Sequence, residues 1–222
     1  MNMQKKVLAG LFATALTLSI SSAYAIDKGD YIVRVGVSTV SPMDDSNELT
    51  GFAGSEVGVG SATTMGFTIG KMLTDNISLE MLGVYPSSHS IKGKSGAIAG
   101  LAVGDVQVFP PTFHANYYFN PQSDFRVRVG AGFSTVFYLD PDVAGPTKAV
   151  LGTNTELEID HTIGLAANVG LDYDITENFM LSMGVWYVDF DADATLTTGA
   201  TSRNVDIEVD PIVTLFGLGY RF

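Results

Sequence analysis

Val185-Trp186-Tyr187-Val188-Asp189-Phe190-Asp191-Ala192-Asp193, followed shortly by Asp206-Ile207-Glu208-Val209-Asp210-Pro211 and a terminal Gly219-Tyr220-Arg221-Phe222, decides the fold. Residue character alternates almost one by one, the period of a strand with two different faces. Gly199-Ala200 can form the two-residue turn between the strands, with glycine first as type II′ prefers. That turn sets Asp189 opposite Asp210, Asp191 opposite Glu208, Asp193 opposite Asp206 and Trp186 opposite Val213. Like charges directly across a ladder repel. Six carboxylates on one outer face therefore call for counterions, which divalent cations shared with lipopolysaccharide phosphates would supply. The other face carries Val188, Phe190, Ala192 and Ala194 against Val205, Ile207, Val209 and Pro211, a greasy lip continuing upward from Trp186.

Working outward from this hairpin, the same period recurs in eight segments joined by three short and four longer connections. Tyr31 to Val40 sets Tyr31, Val33, Val35 and Val37 against Arg34, Gly36 and Ser38. Thr63 to Leu73 and Ile77 to Tyr85 follow, joined by the tight turn Thr74-Asp75-Asn76. Val106 to Phe119 and Phe125 to Phe137 meet across Asn120 to Asp124, and Thr162 to Tyr173 leads through Asp174 to Asn178 into the hairpin. The longer stretches, up to Val59, from Pro86 to Asp105 and on to about Glu158, read as polar loops.

Residues 1–25 read as a signal peptide: Lys5 and Lys6, an apolar run from Val7 to Ile20, then Ala23-Tyr24-Ala25 as a small-x-small cleavage site. The mature chain, 26–222, then carries ten basic against 24 acidic residues, a net charge near −14. Such a balance argues against nucleic acid as a partner. The absence of cysteine excludes disulfides and thiolate metal sites. Alternating apolar and polar faces also suit a soluble sandwich. Eight segments of spanning length, short turns alternating with long loops, and an aromatic Phe222 favour an all-β, eight-stranded antiparallel transmembrane barrel of up-and-down topology in the bacterial outer membrane. An even strand number puts both termini on the periplasmic side and the long loops outside.

Pro110-Pro111-Thr112 leading into Tyr117-Tyr118-Phe119, the Arg126-Val127-Arg128-Val129-Gly130-Ala131-Gly132 strand, Val185-Trp186-Tyr187 followed by Asp189 and Asp191, and Asp210-Pro211 ahead of Gly219-Tyr220-Arg221-Phe222 resemble the OmpW family across the whole mature chain. The resemblance implies an eight-stranded outer-membrane barrel whose hydrophobic lumen admits small apolar molecules; one relative in that family is associated with alkane uptake. The chain departs from the family pattern at Ile212, where a tryptophan commonly follows the proline.

Parity and depth give a map of the lumen. Arg34, Glu80, Arg126, Arg128, Asp172 and Arg221 point inward near the periplasmic turns, Arg34 somewhat higher. Opposite charges in a narrow interior should pair, because an unpaired buried charge costs several kcal/mol. An eight-stranded barrel is just wide enough for side chains to fill, so this cluster should act as a plug. Higher up, Leu82, Val84, Pro110, Trp186, Val188, Val213 and Leu215, continued by Phe190 and Val209, face inward and are apolar. Dry packing and a greasy pocket floored by Leu82 and Trp186 both account for them. A solute in such a pocket would leave sideways into the bilayer, and Pro110-Pro111 and Pro211, lacking ladder donors, mark weak points in the wall.

Nothing suggests an enzyme or a cofactor. His89, His114 and His161 lie in a loop, inside and outside respectively, and no Gly-x-Ser-x-Gly occurs. The acidic loop residues Asp44, Asp45, Glu48, Glu56, Asp140, Asp142, Glu156 and Glu158 have no EF-hand spacing, and no metal site is assigned. The partners expected are outer-membrane lipid and lipopolysaccharide, small hydrophobic solutes, and the barrel-assembly machinery reading Phe222. The rival reading is a non-transporting barrel that stabilises the envelope or serves as a surface receptor.

Overall fold

The computed structural model describes residues 25–222 apart from Asp44. The signal peptide thus lies, but for Ala25, outside the described residues. In chain order the strands are β1 (Tyr31–Ser41), β2 (Asp45–Ser46), β3 (Val57–Val59), β4 (Ala62–Met72), β5 (Ile77–Val84), β6 (Ser87–Gly93), β7 (Ala102–Phe109) and β8 (Thr112–Phe119). They continue with β9 (Phe125–Val143), β10 (Thr155–Ile159), β11 (Thr162–Asp174), β12 (Phe179–Asp189), β13 (Asp191–Thr198), β14 (Thr201–Glu208) and β15 (Ile212–Arg221). A short helix, α1 (Gly145–Leu151), lies between β9 and β10. Strands β1, β4, β5, β8, β9, β11, β12 and β15 pair in that cyclic order, all antiparallel, and β15 returns to β1. This is a closed eight-stranded up-and-down barrel. At the seam the backbone amides of Tyr31 and Phe222 each donate to the other's carbonyl at 3.0 Å.

The alternation sorts side chains as the pleat requires. Arg34, Ser38, Glu80, His114, Arg126 and Asp172 are buried inside, while large apolar residues coat the outside. Ile163 and Leu165 are each 72% exposed, Tyr85 69% and Phe133 48%. Such a surface in water would be an aggregation hazard; around a barrel it is the lipid-facing band. Aromatic residues edge it at the periplasmic end, where Phe179 stacks on Tyr220 at 4.9 Å and Tyr220 on Phe222 at 5.0 Å. Phe113 and Phe133, 5.6 Å apart, contribute at the other end.

Above that band the long connections are largely strand, a correction to their reading as loops. β6 and β7 form a hairpin over residues 87–109, taking in most of the stretch read as a loop from Pro86 to Asp105, and β9 runs on to Val143 beside β7. β10, β13, β14 and β2 form a second extension. In β6 the inward residues are His89, Ile91 and Gly93 among Ser88, Ser90 and Lys92, so few apolar side chains mark the period. Two apolar walls result, joined by Ser46, whose Oγ donates to the Val57 carbonyl at 3.2 Å and accepts from the Val57 amide at 2.9 Å.

The hairpin adopts the expected register: Asp191 pairs with Glu208, Asp193 with Asp206 and Trp186 with Val213. Gly199 sits at φ 58°, a conformation that the first position of the turn demands. Asp210 departs from the expected outer row. Its φ of 36° swings the carboxylate into the ladder, where Oδ1 accepts from the Phe190 amide at 3.2 Å and Oδ2 from the Tyr187 hydroxyl at 2.9 Å. The Asp189–Asp210 face-off is thus replaced by a local side-chain cap, in which the carboxylate supplies the acceptor that the Phe190 amide needs.

Candidate functional site

The lower lumen is filled by a charge network drawn from most of the wall. Arg34 on β1 donates from Nε and Nη2 to the two oxygens of Asp172 at 3.1 and 2.8 Å, and from Nη1 to Glu80 Oε2 at 2.9 Å. Arg128 Nη1 lies 2.7 Å from the same Asp172 carboxylate. Tyr118 donates its hydroxyl to Glu80 Oε1 at 2.6 Å, as does Ser78 at 2.9 Å. Arg126 pairs with Asp174, and Arg221 donates to the Ala25 and Glu177 carbonyls beside Asp30. All six residues read as a charge plug thus lie in this lower layer. Asp174, Tyr118 and Asp30 join them.

Over this network Asn168 Nδ2 donates to Asn116 Oδ1 at 2.9 Å, and His114 meets the Trp186 ring edge-on at 6.1 Å. Trp186 is fully buried, and its six-membered ring lies over Gly184, where a Cβ would come within 2.3 Å of the ring. Glycine at 184 is thus the residue that lets the indole lie across the lumen. Val40, Leu82, Val84, Val213 and Leu215 pack with Trp186 as one apolar layer.

A cavity lies on this layer, between the two extracellular walls. Leu82, Pro110, Val188, Phe190, Val209 and Val213 line it, as sequence parity anticipates. Val84, Trp186 and Leu215 do not; they form the packed layer beneath. Val59, His89, Ile91, Tyr138 and Ile159 also line the cavity but fall in stretches read as loops or beyond a strand's expected end. Tyr138, one residue past Phe137, continues the β9 alternation and carries the signal that could have found it. His89 Nδ1 donates to the Gly60 carbonyl (2.8 Å), and Nε2 lies 3.2 Å from Ser87 Oγ. Burial holds its pKa below the ordinary value, against the opposing pull of the Gly60 bond, so the neutral ring faces the cavity.

The cavity holds only about 50 Å³ of open volume, against roughly 300–1,000 Å³ for ordinary ligand pockets. Its roof is apolar as well: Leu49, Phe52, Leu101, Leu151 and Leu196 meet above it, with Thr147 of α1 tied to the Ala102 carbonyl at 2.8 Å. The cavity is therefore small and capped by apolar side chains.

The wall has two breaks at this height. The β5–β8 ladder ends at Leu82 and Thr112, and pairing resumes between Ser87 and Val108, so the stretch holding Pro86, Pro110 and Pro111 carries no ladder pair. The β9–β11 ladder ends at Val136 and Thr162; above it β9 pairs with β7 and β10 with β13. There Tyr138 N donates to His161 Nδ1 at 3.4 Å, and His161 stacks on Phe137 outside. Pro211 is different, for its carbonyl accepts from Val188 N at 3.2 Å and keeps the two strands tied.

The family model described as the OmpW family matches residues 27–222. Outer membrane protein W of Vibrio cholerae is 38% identical, the alignment covering 98% of this chain and all of that protein. The crystal structure of the outer membrane protein OprG from Pseudomonas aeruginosa superposes with a TM-score of 0.82 at 29% identity, covering 90% of this chain and 98% of that one. Outer membrane protein AlkL of Ectopseudomonas oleovorans is 25% identical over 88% of this chain and 84% of its own length. These relatives are named as outer-membrane proteins rather than as enzymes. The chain belongs to the OmpW family and is a β-barrel of the bacterial outer membrane.

Proposed function

We propose that this barrel takes small hydrophobic molecules from the cell exterior into its apolar upper lumen and releases them sideways into the bilayer, without enzymatic chemistry. The observation that carries the reading is the stacking of an apolar cavity on a lumen filled with paired charges. An apolar solute gains by entering the first and would strip water and partners from the second. The Pro86 and Pro110-Pro111 break offers an exit where no ladder need be broken. On this reading Leu82, Pro110, Val188, Phe190, Val209 and Val213 contact the solute, with Val84, Trp186 and Leu215 as the floor. Lipid and lipopolysaccharide surround the barrel, and the assembly machinery reads Phe222.

Trp186, the single tryptophan, reports on the floor directly. Its emission should change saturably as alkanes are titrated into the reconstituted protein, while vesicles stay tight to hydrophilic solutes. Porin-like flux of large hydrophilic solutes would overturn the reading. The small open volume favours the rival, a non-transporting envelope or receptor barrel; an emission that no apolar solute alters would support it.

A further inference from the structure

We infer that the cavity selects oxygenated apolar molecules, such as alkanols, esters or ketones, over plain hydrocarbons, through the hydroxyl of Tyr138. The inference rests on the proposed binding of hydrophobic solutes. Three residues with polar side chains line the cavity: His89, Thr112 and Tyr138. Two of them are already satisfied. His89 uses both ring nitrogens on Gly60 and Ser87, and Thr112 donates to the Pro110 carbonyl at 3.1 Å and lies 3.0 Å from Ser134 Oγ.

Tyr138 is not satisfied. Its Oη is buried with no hydrogen-bond partner, and Asp193, whose charge acts on it, makes no bond to it. Other buried polar atoms without partners occur among the described residues, including Trp186 Nε1 and both ring nitrogens of His114. None of those belongs to a residue lining the cavity; Tyr138 alone does both. Most buried polar groups are satisfied, and one left alone costs free energy that a ligand oxygen would recover. A hydrocarbon filling the same space would leave the hydroxyl stranded. Sites with a waiting polar group discriminate against analogues that lack its counterpart far more sharply than sites that read size alone.

The position suits the role. Tyr138 stands where the β9–β11 ladder has ended, with its backbone amide held by His161 rather than by a strand partner. Its backbone pairs with Val108 of β7 and has no ladder pair to β10, so one edge of the strand is fixed and the other is open beside the ring.

The test compares decane, 1-decanol and methyl nonanoate by Trp186 emission, using the full barrel in lipid nanodiscs, in wild type and in Tyr138→Phe. The variant keeps the ring and loses only the hydroxyl. Taking the ratio between the two proteins cancels each probe's own partition into lipid. Wild type should bind both oxygenated probes about tenfold more tightly than decane, relative to the variant, as one buried hydrogen bond would give. Decane affinity should not change. Equal ratios for all three probes, as when a trapped water already satisfies the hydroxyl, would overturn the inference and leave the hydrophobic pocket standing. No response to any probe would overturn both.

Discussion

Asp172 grips Arg34 with both carboxylate oxygens, at 3.1 and 2.8 Å, and still holds Arg128 at 2.7 Å. One carboxylate from β11 thus bridges two cations from β1 and β9, and Glu80, paired with Arg34, supplies the second negative charge. Its side chain and that of Arg34 are essentially inaccessible to solvent. Asp172→Ala should therefore cost about 3–5 kcal/mol, since it strands buried positive charge rather than merely deleting a pair. Urea unfolding in lipid vesicles measures this. A loss under 1 kcal/mol would mean that water reaches the plug and that the lower lumen is not sealed. Replacing Asp172 and Arg128 together, by Asn and Met, should recover part of the loss.

Leu82→Glu tests the floor of the cavity. Leu82 is 1% exposed and belongs both to the cavity lining and to the Trp186 layer. A carboxylate there has no cation within the apolar layer, and the cost of keeping it buried falls on any solute that tries to displace its water. Uptake of apolar solutes should fall on the order of tenfold or more. Unaltered uptake would place the route elsewhere.

Parity and relative depth are legible in the chain, and the upward extent of the strands is not. Residues such as Arg34, Glu80 and Trp186 alternate with lipid-facing neighbours, and the pleat sends them inward whatever the tertiary details. The register of the last hairpin followed from Gly199 alone, because a two-residue turn leaves no slack. Asp174 carries no local signal, since it sits at the strand end among turn residues and its pairing with Arg126 depends on a strand 48 residues earlier. His89 and Ile91 were hidden by serine and lysine neighbours, which are as common in loops as on an exposed strand face. The bonds of the Asp210 carboxylate to the Phe190 amide and to the outward-facing Tyr187 hydroxyl depend on the backbone turn at φ 36° before Pro211, which no local pattern displays.

Restoring a donor at the β5–β8 break should slow release. Pro110→Ala supplies a backbone amide opposite the unpaired stretch after Leu82, whereas the Pro111 carbonyl already faces β9 and accepts from Thr135 N. A new ladder bond would tie the wall shut. Transfer of an apolar probe from the cavity to lipid, followed by stopped-flow recovery of Trp186 emission, should slow several-fold. An unchanged rate would move the exit to the seam beside Tyr138.

The outer hairpin should be pH-sensitive. Asp193 lies directly across the ladder from Asp206, and burial together with that neighbour raises its pKa above the ordinary carboxylate value. The folded hairpin therefore binds this proton more tightly than the unfolded chain does. The stabilisation is complete below the ordinary carboxylate pKa and is lost as pH rises through the raised value. Amide exchange in β13 and β14 should accordingly be slower near pH 4 than at pH 7.5, after correction for intrinsic rates. Asp193→Asn removes both the repulsion and the titration. The variant should be better protected than wild type at pH 7.5, by a few tenths of a kcal/mol given the exposure of the pair, and its protection should flatten with pH. A wild-type hairpin that is equally protected at both pH values would show that the facing carboxylates are already neutralised by bound cations.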